Sequence, residues 1–197
     1  MVGLFIFGFG TGLTALAALG VPPWDVLHDG IRLHSPLSFG QAAILVGLAL
    51  VVVSLCFGIK PGVGTIANMI FVGLLIDLTL YVGDGWEVDE LVLPLRLGVT
   101  IAGIALVGLG SALYIGAEMG AGPRDSLMVL ITTHTRLSLG VARTLIEGTA
   151  LVGGALLGGA LGIGTALFAL VIGPSVQLFF RLLRMDVTGA RRSPESE

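Results

Sequence analysis

The stretch at residues 20–40, GVPPWDVLHDGIRLHSPLSFG, recurs 100 residues later at 120–140 as GAGPRDSLMVLITTHTRLSLG. Prolines, aspartates and histidines repeat in this register, as Pro23 and Pro123, Asp25 and Asp125, and His34 and His134. Residues 1–80 aligned with 101–180 share 23 identical positions without a gap. Chance similarity between apolar segments would not bring polar residues and prolines into one register. The sequence therefore predicts an internal duplication.

The composition indicates that lipid, rather than water, surrounds most of the chain. Apolar residues make up 55% of it and charged residues 12%, with a mean hydropathy of +1.02. A soluble domain usually carries about 25% charged residues. The 31 glycines lack the period of collagen and suit helices that pack closely in a membrane. The net charge of −3 and the lack of a basic tract argue against a nucleic-acid partner.

Apolar segments long enough to cross a bilayer, which takes about 20 residues of helix, occur throughout the chain. The six segments are residues 2–19, 41–57, 65–82, 97–117, 141–157 and 165–182. Two more polar segments, 22–37 and 123–137, are each predicted to form a short interfacial or re-entrant helix. We therefore predict an all-α membrane protein with about six transmembrane helices.

Lysines and arginines near the spans predict that both termini are cytoplasmic. In that orientation the inner side carries Lys60, Arg124, Arg136, Arg181, Arg184, Arg191 and Arg192. The outer side carries Arg32, Arg96 and an acidic loop with Asp84, Glu87, Asp89 and Glu90. The predicted organisation is a first repeat at 1–83, an acidic outer loop at 84–95, a second repeat at 96–182 and a disordered cytoplasmic tail at 183–197.

Three spans in each half would make the second half enter the membrane from the opposite side. Such inverted repeats place a site at the repeat interface near mid-membrane in several transporter folds. If 22–37 and 123–137 also crossed, each half would have four spans and the repeats would be parallel. The charges within these segments, among them Asp25, Asp29 and Arg124, favour three spans and inversion.

The repeat also bears on the N-terminus. Arg96 precedes the first span of the second half, and the equivalent position falls upstream of Met1. We expect a start codon upstream of Met1 that supplies a basic residue.

Each polar segment opens with residues typical of a helix start. A proline in the first turn sacrifices no hydrogen bond, and an aspartate there complements the positive end of the helix dipole. Pro23 with Asp25, and Pro123 with Asp125, fit this pattern. One interpretation is a structural turn. The other is a half-helix whose N–H groups face a polar cavity and bind an anion or substrate.

A second motif opens the last span of each half, as Gly62-x-Gly64-Thr65 and Gly162-x-Gly164-Thr165. The glycines permit a tight turn and the threonine can cap the helix that follows. A phosphate-binding loop would need a lysine and a preceding strand, which both motifs lack.

Charged residues inside the predicted spans are candidate functional groups, because they are costly there and rarely face lipid. Arg143 and Glu147 lie four apart on one helix face, and the first half has Ala43 and Gly47 instead. Their role is either structural pairing, with each other and with Arg124 or Asp125, or a substrate or proton pathway. Asp77 is a further candidate carboxylate within the third span.

Other residues are interpreted as structural. Trp24, Trp86, Tyr81 and Tyr114 lie near span ends, as in the aromatic belt of membrane proteins. The three histidines form no recognisable metal-ligand spacing. No nucleophile, zinc or nucleotide motif is found, so we expect no enzyme activity and no cofactor.

Together these motifs resemble the YczE/YitT group of bacterial membrane proteins. The resemblance rests on the sequences starting at Pro22 and Gly120, the two Gly-x-Gly-Thr motifs, Arg143-x-x-x-Glu147 and Gly173-Pro174, and it covers about residues 8–180. It implies a multi-pass protein of the bacterial inner membrane and supplies no substrate.

The leading hypothesis is a small transporter or permease of a small molecule or ion, with a polar site at the repeat interface. The residues expected to line that site are Asp25, Arg124, Asp125, Arg143 and Glu147, with Asp77 as an accessory. An arginine would hold an anionic group, and a carboxylate would relay a proton or cation. The alternative is a non-transporting scaffold in which the same charges are structural. Glycine faces would also suit a homodimer.

Overall fold

The computed structural model describes residues 1–116 and 122–183, apart from the side chains of Asp125, Val129 and Leu139. Within these residues the fold is all-helical. The helices are α1 (Val2–Leu16), α2 (Pro23–Leu33), α3 (Phe39–Cys56), α4 (Val63–Gly83), α5 (Leu93–Ile115), α6 (Pro123–His134), α7 (Leu139–Leu156) and α8 (Ile163–Leu182). The predicted all-α class is confirmed.

Four helices of the described chain are long and apolar enough to cross a membrane: α3, α4 with its extension to Trp86, α5 and α8. Helix α1 is apolar but has 15 residues, and α7 has 18. The polar helices α2 and α6 have 11 and 12 residues. At 1.5 Å per residue, each reaches roughly half of the ~30 Å hydrocarbon layer.

The helix starts follow from local chemistry that the sequence predicts. The Oγ1 atoms of Thr65 and Thr165 accept hydrogen bonds from the backbone N–H groups of Gly62 and Gly162, at 3.1 and 3.3 Å. Each threonine therefore satisfies a donor that the helix start leaves open. Ser38 makes the reciprocal bond at the start of α3, because it is the N-cap residue and its hydroxyl oxygen accepts from the backbone N–H of Gln41.

Helices α1 and α5 run antiparallel with their backbones close together. A Cβ atom on Gly10 would lie 2.7 Å from the carbonyl oxygen of Gly103, and one on Gly3 would lie 2.9 Å from that of Gly110. At the far end, Arg96 donates from Nε to the carbonyl oxygen of Ala17. Only glycine allows this approach, so the glycines fix how the two helices cross.

The predicted acidic loop at 84–95 is shorter in the structure, and nearly all of the predicted tail at 183–197 lies outside the described residues. The acidic loop forms two 3-10 turns, Asp84–Trp86 and Val88–Glu90, and α5 already begins at Leu93 because Pro94 suits the first turn of a helix. The predicted tail lies outside the described residues from residue 184 onward.

Candidate functional site

All eight helices contribute to the walls of a cavity of about 590 Å³. Most of its walls are apolar, and its polar side chains include His28, Arg124, Arg143, Glu147, Asn68 and Gln177. Three of the predicted site residues thus face one cavity. A volume of several hundred Å³ with a few converging polar groups is typical of a small-molecule site.

Arg143 and Glu147 form an ion pair on the cavity wall, as their spacing predicts. The Arg143 Nε lies 3.0 Å from Oε1 of Glu147. Their side chains are 63% and 41% exposed, so the pair can be reached from outside the protein. A guanidinium carries five N–H donors, so Arg143 has further donors that could bind an acceptor group of a ligand.

Arg124 lies beside Trp24, with the guanidinium carbon 5.0 Å from the centroid of the indole ring. This is cation–π distance. The same guanidinium is 3.9 Å from Oδ1 of Asp25. Asp25 itself is buried, lies behind the cavity wall and accepts a hydrogen bond from Nδ1 of His28 at 2.9 Å. Asp25 therefore supports Arg124 and His28 from behind.

Asp77 lies away from the cavity wall, between α3 and α4. Its carboxylate accepts hydrogen bonds from the Ser38 hydroxyl and, at 2.7 Å, from the backbone N–H of Gly40. It thereby joins the end of α4 to the start of α3. The Asp125 side chain is outside the described part of the structure, so its predicted place in the site stays a prediction.

Two residues of the site were missed or misjudged at the sequence level. Trp24, predicted to lie in the aromatic belt, is buried with 7% exposure and packs against Ile146 and Ala150. That prediction is wrong because α2 turns its first residues inward. His28 is also fully buried, and the Asp25–His28 spacing of i and i+3 on one helix face was the available signal.

Another buried carboxylate belongs to the scaffold. Asp29 binds Arg32 at 2.7 Å and accepts a hydrogen bond from the backbone N–H of Ala160 at 2.8 Å. It ties α2 to the turn between α7 and α8. No group of three metal-ligating side chains comes together within 1–116 and 122–183.

Long apolar helices, apolar outer faces and a cavity between the helices that carries a few charged and polar side chains define a helical membrane protein. The chain matches, over residues 1–181, the family described as "Family of unknown function (DUF6198)", and it belongs to that family.

The chain is similar to three proteins that are named as uncharacterized. An uncharacterized protein of Haemophilus influenzae is 37% identical over 180 residues, covering 91% of this chain and 81% of the relative. The uncharacterized membrane protein YczE of Bacillus subtilis is 36% identical over 181 residues, covering 87% and 79%. YyaS of Bacillus subtilis is 27% identical over 195 residues, covering 97% and 95%. The similarity to YczE confirms the resemblance drawn from the motifs. No solved structure matches the chain.

Proposed function

We propose that the protein is a small transporter of the bacterial inner membrane, with the cavity as its binding site. The observation that carries this is the Arg143–Glu147 pair, partly exposed on the wall of a cavity of about 590 Å³. A scaffold would bury such charges in a packed core, because unpaired or exposed charges within a span are costly. A transporter needs them where a ligand can reach them.

The proposal includes six spans arranged as two inverted repeats. The antiparallel packing of α1 and α5 supports this, since these helices hold equivalent positions in the two halves. The contacts also come in equivalent pairs. Gly3 meets Gly110 and Gly10 meets Gly103, which are the same contact seen from each half. A two-fold relation with its axis in the membrane plane generates this pattern.

The proposed substrate is a small amphipathic molecule with an anionic group. Arg124 and Arg143 supply two cations to the cavity, and apolar side chains such as Val46, Met128 and Ile172 supply its walls. A guanidinium binds a carboxylate or phosphate with two parallel hydrogen bonds. Glu147 is paired with Arg143. When the ligand binds Arg143, Glu147 can bind a proton or a cation in place of the arginine.

The test compares cells that lack the gene with cells that overproduce the protein. Metabolites whose level inside the cell changes between the two strains are candidate substrates. We expect Arg143→Ala to abolish that change while the protein still accumulates in the membrane. The matched control is Arg136→Ala, which removes an exposed arginine outside the cavity wall. An Arg143→Ala protein that fails to accumulate would favour the scaffold alternative.

A further inference from the structure

The first half of the chain holds α3 tightly against α4. Gly40 and Gly73 are both buried, and a Cβ atom on Gly40 would overlap the carbonyl oxygen of Gly73. Next to this contact, Asp77 accepts hydrogen bonds from Ser38 and Gly40. The close contact of the α3 and α4 backbones and the hydrogen bonds of Asp77 together close this edge of the cavity.

The equivalent helices of the second half are apart. Gly140 and Gly173 are exposed, and a Cβ atom on either would meet no atom within 4 Å. Within the described residues, α7 does not pack along α8 as α3 packs along α4. Gln177, the equivalent of Asp77, lines the cavity instead. The second half thus leaves its edge of the cavity open.

The second half nevertheless keeps the residues that such a closure requires. Ser138, Gly140 and Gly173 are identical to their counterparts in the first half. Gln177 replaces Asp77, and its amide oxygen can accept the same two hydrogen bonds. A glycine inside a helix costs about 0.5–1 kcal/mol relative to alanine. The separated arrangement of α7 and α8 gives no reason for glycine at positions 140 and 173, because a Cβ atom there would meet nothing.

A second pair of positions shows that the closed arrangement would also fit in volume. In the first half, Gly47 accommodates Met69, whose Cγ would lie 2.8 Å from a Cβ on the glycine. In the second half the bulk has moved across, with Glu147 at the glycine position and Ala169 at the methionine position. Each half therefore has one large and one small side chain at these two positions, which leaves room for the same contact in the second half.

We infer that the protein has a second conformation in which α7 closes on α8 and α3 separates from α4. The cavity would then open at the opposite edge. This deepens the proposed transport function by naming the two gates. With both termini cytoplasmic, the closed α3–α4 gate faces outward and the open α7–α8 gate faces the cytoplasm.

In this inference, Asp77 stabilises the closed α3–α4 gate. Asp77→Ala removes both of its hydrogen bonds between α4 and α3. Net contributions of typical hydrogen bonds predict a shift of about tenfold or more in the ratio of the two conformations. The shift favours the state with α7 closed on α8.

The experiment measures closure of α7 on α8 directly. Ser138→Cys and Gln177→Cys are introduced together in a Cys56→Ser background, and a short bifunctional thiol reagent is applied to intact membranes. We expect a partial yield of intramolecular cross-link in this protein. Adding Asp77→Ala should raise the initial rate of cross-linking by about tenfold, following the shift in the two states.

Two substitutions at equivalent positions provide the matched comparison. Gly40→Leu wedges the outer gate open and should raise the cross-linking rate, whereas Gly140→Leu blocks the inner gate and should lower it. A purely structural disturbance would move both in the same direction. Should Gly40→Leu fail to accumulate, Asp77→Ala carries the comparison with Gly140→Leu. An unchanged or lower rate in Asp77→Ala overturns the inference.

Cross-linking requires no substrate, so the result is independent of the transport assay. If the cross-linking rates change as expected but no metabolite level changes, the two conformations are supported and the proposed transport function is contradicted. Substrate uptake that depends on Arg143, with a cross-linking rate insensitive to Asp77 and Gly40, would keep the proposed function and remove the gates.

Discussion

The guanidinium of Arg124 lies 5.0 Å from the indole centroid of Trp24, and the two residues hold the same position in the two halves of the chain. In a two-fold arrangement, equivalent residues touch each other only close to the axis. The contact therefore marks the proposed axis from the positions of two side chains alone. It also brings the starts of α2 and α6 to the cavity between the halves.

The proposed inverted arrangement predicts opposite accessibility for equivalent residues. Ser35 and Thr135 occupy matching positions just beyond α2 and α6. In a Cys56→Ser background, we expect Ser35→Cys to react with an impermeant thiol reagent in intact cells. Thr135→Cys should react only after the membrane is permeabilised. Labelling of both from the same side would contradict inversion and favour parallel repeats.

The close packing of α1 on α5 predicts a strong dependence on glycine. Gly10→Leu should destabilise the protein, because its Cβ alone would lie 2.7 Å from the carbonyl oxygen of Gly103. Gly98→Leu is the control on the same helix pair, since a Cβ there meets no atom within 4 Å. Overpacking typically costs about 1–3 kcal/mol, which lowers the thermal unfolding midpoint in detergent. Equal midpoints for the two variants would refute this account.

Asp29 should prove to be a structural carboxylate. Asp29→Ala removes the acceptor for Arg32 and for the backbone N–H of Ala160. A hydrogen bond to a charged group contributes roughly 1.5–3 kcal/mol, so losing the buried carboxylate of Asp29 should lower the unfolding midpoint. Asp89→Ala, in the exposed loop, should leave it unchanged. A stable Asp29→Ala protein would show that other groups satisfy that N–H.

Trp24 offers an optical signal for ligand binding. The chain has two tryptophans, so Trp86→Phe leaves Trp24 as the single indole. A substrate that binds Arg124 should change the emission of Trp24, because it alters the charge beside the ring. Adding Arg124→Gln should abolish that change, while Arg136→Gln should preserve it. A ligand response that survives Arg124→Gln would place the binding site elsewhere in the cavity.

Local chemistry could be predicted from the sequence because it depends on neighbours along the chain. The threonine caps at Thr65 and Thr165 and the Arg143–Glu147 pair need only three or four residues to be recognised. Each of these features is set within one helix or its first turn. The duplication was visible because it needs only a comparison of the chain with itself at an offset of 100 residues.

Features that depend on packing could not be predicted. Trp24 near a span end has the same sequence context whether it faces lipid or the core, and only the inward direction of α2 decides. Asp77 likewise meets Ser38 across 39 residues of chain. The difference between the closed and open gates is invisible in the sequence, because Gly40 and Gly140 are the same residue.

The contact between Trp24 and Arg124 at the proposed axis joins two unlike side chains, and this has a consequence for how such a protein can be built. A dimer of two identical short chains would place like against like at this point, as two indoles or as two guanidiniums that repel each other. Joining both copies in one polypeptide removes that restriction and allows an aromatic ring to face a cation. A half expressed alone could pair only with a second copy of itself. That pairing would place Trp24 against Trp24, or Arg124 against Arg124, and the contact between ring and cation would be lost.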